Sequence, residues 1–191
     1  MTLKLNTRAG WPAELRFLLD KYPREVWPGH ENLGEVAYFW LDRHNGFREI
    51  GGALLSATAD FREGTLSPDQ FRRFFAPRLQ FFLQGLEGHH MVEDHHYFPV
   101  FRAAEARLLK GFDVLESDHA VLHEDIVSVV KAANELLGKM EGDEDTRRTA
   151  TDRYADKSDR LVQGMRRHLD DEEDLIVPVI LEQGERKLFW G

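Results

Sequence analysis

Two stretches of the chain set a histidine four residues before a glutamate and close on a proline. His89 and Glu93 lie in HHMVEDHHYFP, residues 89–99, and His168 and Glu172 lie in HLDDEEDLIVP, residues 168–178. Residues four apart share one face of a helix, so each stretch can aim an imidazole and a carboxylate at one point. His119 and His123 can do the same with two imidazoles, and His44 supplies one more. Imidazole and carboxylate without thiolate suit iron, and less specifically manganese or zinc.

Each piece alone has a plainer reading. A lone histidine such as His44 is more often a satisfied core or surface residue. A His-x3-Glu pair is common on solvated helix faces, and the acidic run Asp170–Asp174 by itself reads as one such face. The conjunction differs, because all seven residues interrupt otherwise apolar stripes at a matched level. A buried carboxylate without a partner costs several kcal/mol. Two divalent or trivalent cations would relieve that cost, since they supply positive charge and take neutral imidazoles as ligands.

The elements that must position these residues read as helices. Asn32-x-x-Glu35 resembles a capping box and would open a first helix, with Leu33, Val36, Trp40, His44, Phe47 and Leu54 on one face and Gly64 as its stop. Ser67-Pro68-Asp69-Gln70 is a second start, for a helix carrying Phe75, Leu79, Phe82, Leu86, His89 and Glu93. Pro77 is expected to kink it and Pro99 to limit it. A third helix is predicted over 108–137, with Phe112, Leu115, His119, Leu122, His123, Ile126 and Val130 as its stripe. Gly138 and Gly142 bound an acidic loop before a fourth helix over 146–175, and Pro178 again marks a stop. No stretch alternates with period two. The predicted fold is all-α, an antiparallel up-down four-helix bundle over 31–180. An N-terminal arm, 1–30, packs on it through Trp11, Phe17 and Trp27, and a short tail, 181–191, ends in Phe189-Trp190. His44 and His89 are 45 residues apart and His119 and His168 are 49 apart, so two similar helix hairpins would face each other.

Bulk properties narrow the function classes. The 191 residues carry a formal charge of −9 and no cysteine. Disulfides, thiolate metal sites and cysteine nucleophiles are excluded. No basic stripe points to nucleic acid, and no apolar run could span a bilayer. The N-terminus lacks the apolar core of a signal peptide, so a cytoplasmic protein is expected.

The chain resembles the hemerythrin-like family, also called the HHE cation-binding domain, over residues 32–180. His44, His89/Glu93, His119/His123 and His168/Glu172 stand where that family places its ligands, and Phe98-Pro99 is also similar. The resemblance implies a non-haem di-iron centre of two iron ions with an oxo or hydroxo bridge. By analogy His119, His123 and His168 would bind one iron, His44 and His89 the other, and Glu93 and Glu172 would bridge. The iron with fewer histidines would keep an open position for dioxygen or another small ligand. In the internal repeat Arg48 stands opposite His123, which suggests a lost ligand there as the source of that asymmetry.

Some assignments stay open. His90/Asp94 has the same spacing as His89/Glu93, and the apolar stripe favours His89. Glu173 is an alternative to Glu172, which the repeat favours. His96 reads equally as a neighbour of the ligands or as part of a polar helix end, and His30 reads as surface. Glu87-x-x-His90 and Glu116-x-x-His119 fit a ferritin-type carboxylate site, but that leaves His44, His123 and His168 unexplained. The expected function is dioxygen or reduced-oxygen binding, in carriage, sensing or iron handling. The alternative is a redox enzyme for peroxide breakdown, oxidase chemistry or nitric-oxide handling. The lack of a fused signalling segment weakens the sensor reading. The aromatic arm and tail either cap a bundle end or form a homodimer contact.

Overall fold

The computed structural model describes residues 3–190, and among these every regular element is helical. Four helices are long: α2, Glu35–Arg62; α3, Pro68–Val92; α5, Leu109–Gly138; and α6, Glu144–Gln183. Three are short: α1, Ala13–Lys21; α4, Phe98–Ala104; and α7, Glu185–Phe189. No helix of the described residues is long and apolar enough to cross a membrane.

Local side chains cap the starts of α3 and α6 but not that of α2. At α3 the predicted box forms: Ser67 Oγ accepts from Gln70 N at 3.3 Å and Gln70 Oε1 accepts from Ser67 N at 2.9 Å. Asp143 opens α6 by accepting from Thr146 N at 2.8 Å. The Asn32/Glu35 box does not form. Asn32 Nδ2 donates to Leu181 O, and the N–H groups of Val36 and Ala37 donate instead to the Glu185 carboxylate at 3.2 and 2.7 Å. A carboxylate at a helix N-terminus satisfies free donors and complements the dipole, so a distant acid replaces the local one. At the other end Gly64, at φ 74°, follows α2 as expected.

Neither proline stops its helix as the sequence suggests. Between α3 and α4 the chain makes a π turn, Glu93–Tyr97, in which Phe98 N–H bonds to Glu93 O. Pro99 therefore falls in the first turn of α4, where a missing N–H costs little. Pro178 lies inside α6. Every residue from Leu175 to Leu181 is buried, and that packing carries the helix past the lost hydrogen bond.

The chain sorts into two compact units, one built of the residues up to Asn45, His89–Ala120 and those from Arg166 on, the other of Gly46–Gly88 and Val121–Met165. The first has a core of Trp11, Leu15 and Trp27 with Trp40, Phe98, Phe101, Phe112 and Ile180. Within it Gly111 lets α5 and α6 approach, since a Cβ there would meet Leu175 at 2.8 Å. The second has a column of rings: Phe61 stacks on Phe71 at 4.3 Å, Phe71 on Phe75 at 4.5 Å, and Phe75 meets Tyr154 edge-on at 4.9 Å.

Candidate metal centre

Inside the first unit, α2, α3, the π turn, α5 and α6 bring seven carboxylate or imidazole side chains together. Two sets of ligand atoms each lie within 4.8 Å of one another: His90, Glu93, His119 and His168, and His44, His89, Glu93 and Glu172. Glu93 belongs to both. The imidazoles converge through Nε2. His44 Nε2 is 2.9 Å from His89 Nε2, and His119 Nε2 is 3.0 Å from His168 Nε2. His90 stacks on His119 with ring centroids 4.2 Å apart.

Their outward nitrogens meet carboxylates. His44 Nδ1 is 3.0 Å from Glu173 Oε1 and His119 Nδ1 is 2.8 Å from Asp94 Oδ1. His168 Nδ1 is 3.6 Å from Asp118 Oδ2, beyond hydrogen-bond reach. A carboxylate on Nδ1 fixes the tautomer that leaves Nε2 free to bind a cation, and orients the ring.

Several polar atoms inside the cluster are not satisfied by the protein. His90 Nε2, both oxygens of Glu93 and both oxygens of Glu172 are buried without a hydrogen bond. His89 Nε2 stands 2.8 Å from Glu93 Oε1, at ion-pair distance but short of hydrogen-bond geometry. Buried polar atoms normally find partners, so this many orphans in one place point to a ligand. Their identities fit a cation: neutral nitrogens and carboxylate oxygens, with no thiolate.

The electrostatics agree. Burial, reinforced by neighbouring imidazoles, holds His90 and His168 well below the ordinary histidine value, and burial also lowers His89. His90 and His168 are thereby favoured in the neutral form, as ligands must be. Burial alone would raise Glu93, but the imidazoles of His89 and His44 outweigh it and hold Glu93 well below the usual carboxylate range. Glu172 goes the other way, pushed well above that range by burial and then by the Glu93 charge. Without a cation the pair holds one charge and one proton.

A family model, the hemerythrin HHE cation-binding domain, matches residues 36–184. The chain belongs to the hemerythrin HHE cation-binding family. No curated protein and no solved structure matches it. In this HHE domain the cluster is the part whose chemistry is compatible with metal binding.

Of the seven residues singled out in the sequence, the structure gathers His44, His89, Glu93, His119, His168 and Glu172. His123 stands outside both sets: it is exposed, with Nδ1 2.8 Å from Glu87 Oε1. His90 completes the set instead. A single apolar stripe allows one inward face and so favours His89 over His90, but these adjacent residues on α3 enter different sets. The choice between Glu172 and Glu173 dissolves similarly, since Glu172 faces the cluster and Glu173 holds His44 from behind. His96 is exposed, and His30 is half-buried, edge-on to Tyr22. The carboxylates of a ferritin-type reading, Glu87 and Glu116, are exposed and pair with His123 and Arg102.

The acidic run is not a solvated face. Asp171, Glu172 and Glu173 are buried. Asp171 meets Arg8 at 2.7 Å and Arg167 at 2.6 Å, and Glu173 meets Arg24 at 2.9 Å. Sequence reasoning missed Asp118, Arg8 and Arg24. The one available signal was the run itself, since five consecutive acids beside an apolar helix end need cations.

Proposed function

We propose that this HHE domain holds two iron ions that share Glu93, one on His90, His119 and His168 and the other on His44, His89 and Glu172, and that it binds dioxygen or a reduced-oxygen species at the second. The four long helices are read with it as an antiparallel up-down bundle, residues 1–30 as an arm on that bundle and 181–191 as a tail, in a cytoplasmic protein whose partner is a small ligand. The observation that carries the reading is the pair of adjoining buried ligand sets with Glu93 in common, one with three histidines and one with two. α3 sends one histidine to each set; the asymmetry arises because His119 and His168 both join His90, whereas His89 is joined by His44 and the carboxylate of Glu172, so it does not require a lost ligand at Arg48. Ferrous ions would supply the electrons for binding oxygen.

The residues around the second set suit a small apolar ligand. A cavity of about 10 Å3, lined by Ala37, Trp40, Leu41, Ile176, Val177 and Ile180, reaches Glu172 and Glu173, which is room for one water-sized molecule. Its lining is otherwise apolar, so Glu172 and Glu173 are the ionisable groups on the cavity wall. Without a cation Trp40 Nε1 donates to His44 Nε2 at 2.7 Å; a cation on that nitrogen would take the lone pair and leave the indole N–H beside the set.

A redox enzyme is the second reading, favoured by Tyr97. Its ring lies 4.8 Å, centroid to centroid, from Trp40, so an oxidisable phenol stands one ring away from His44. The two readings part on one experiment: iron-loaded protein is reduced anaerobically, exposed to air and returned to vacuum while its optical spectrum is followed. A visible band that forms and disappears supports reversible binding. Permanent oxidation together with peroxide turnover supports the enzyme.

A further inference from the structure

Carboxylates stand behind three cluster histidines, within hydrogen-bond reach of His44 and His119 and 3.6 Å from His168, and two of those carboxylates, Glu173 and Asp118, are gripped by arginines that lie outside residues 36–184. Arg24 follows Pro23 in a short 3-10 turn, Arg24–Val26. Its Nη1 is 2.9 Å from Glu173 Oε2, and the other oxygen of Glu173 is 3.0 Å from His44 Nδ1. The same guanidinium reaches Asp174 Oδ1 at 2.7 Å and donates to Asp170 O at 3.0 Å, with its carbon 4.9 Å over the Trp27 ring. Three contacts on one turn of α6 fix where Glu173 is held.

Arg8 repeats the arrangement at the other set. It is buried, with Nη2 2.5 Å from Asp118 Oδ2, Nε 2.7 Å from Asp171 Oδ2, and Nη1 donating to Leu3 O at 2.7 Å. Trp11 Nε1 donates to Asp171 O at 2.7 Å and locks the same stretch of arm. Asp118 Oδ2 is the carboxylate oxygen 3.6 Å from His168 Nδ1, a buried nitrogen with no hydrogen-bond partner. One line of contacts thus runs Arg24–Glu173–His44 and a second runs Arg8–Asp118–His168, one to each ligand set.

An imidazole binds a cation through Nε2 only while Nδ1 carries a proton, and that proton needs a fixed acceptor. A carboxylate serves only if its own charge is compensated and its rotamer held, and an arginine fork does both. We propose that Arg24 and Arg8 are positioning residues of the metal centre, Arg24 setting the cation affinity of the His44 set and Arg8 that of the His168 set. The N-terminal arm is then a working part of the site and not only a cover for the apolar core. This rests on the two-cation reading above.

The test is an anaerobic titration of the metal-free full chain with Fe(II) against a competing chelator, with the melting temperature of each metal-free variant alongside. Arg24 is 43% exposed but its partner Glu173 only 5%, so R24Q is expected to fold with a somewhat lower melting temperature, and it is the difference between the two binding steps that tests the role of Arg24. It is expected to weaken one of two binding steps about tenfold, the lower end of what loss of such outer contacts costs, and to spare the other. R24K, which restores the charge without the fork, recovers part of the loss. R8Q weakens the other step; if it fails to fold, the R24Q and R24K pair decides alone. Both steps unchanged in R24Q would overturn the proposal, as would an equal loss in both steps together with a lower melting temperature, which would make the arm purely structural. Fewer than two steps in the unaltered chain would remove the two-cation reading first, and this proposal with it.

Discussion

His89 and His90 are adjacent in sequence and serve different ligand sets. That makes His90 the sharper test of the site, because His123 offers a rival at an exposed position. H90Q is expected to lower the affinity of one bound cation by at least tenfold, while H123Q leaves metal content unchanged; elemental analysis of both variants after equal loading checks this. The carboxylates allow a second test. Glu172 is held well above the usual range in the metal-free protein, so a neutral isostere replaces a protonated group. Its contribution to stability is full below the unfolded carboxylate value, about 4.3, and is lost as pH rises through its raised folded value. E172Q should therefore match the unaltered metal-free protein at low pH, exceed it as pH rises, and lose the stabilisation that metal gives. Histidine runs in the opposite sense. His90 and His168 are depressed by burial, so the unfolded chain takes up protons first as pH falls below ~6.5. Urea unfolding of the metal-free protein should show stability falling from about that pH downward. A flat profile would mean these rings are not buried neutral.

The four long helices were legible in the sequence because their apolar stripes are local signals, and at α3 the start was legible too: Ser67-x-x-Gln70 caps it as its residues dictate. What was not legible depends on contacts far along the chain. Glu185 caps α2 from 148 residues away, a pairing that no window of sequence contains. E185A is expected to cost ~1–2 kcal/mol, measured by chemical unfolding. G34A should show a similar loss, because a Cβ at Gly34 would run into the Glu185 carboxylate. No effect in either would mean that water caps the helix equally well. The π turn was missed for a different reason. Periodicity reads Pro99 as a stop, whereas the turn at Glu93–Tyr97 shifts the register so that Glu93 stays inward and Pro99 falls at a new start. At the site, side-chain types and four-residue spacing pointed to a cation cluster. They could not say which nitrogen partners which carboxylate, since Asp94, Asp118 and Glu173 act from behind and leave no periodic trace.

For the whole molecule, folding gathers an ionised Glu93, a protonated Glu172 and neutral imidazoles into one buried place. An unbalanced buried charge costs several kcal/mol, so the metal-free protein should melt well below the loaded one. Equal melting temperatures would count against a buried site. Loading must also displace the proton on Glu172, so apparent metal affinity should rise with pH. The measurement that bears most directly on the site is the number of Fe(II) equivalents taken up per chain by the metal-free protein under anaerobic titration. Two equivalents are expected, because two ligand sets share one glutamate. A clean endpoint at one equivalent, or none, would contradict the paired centre.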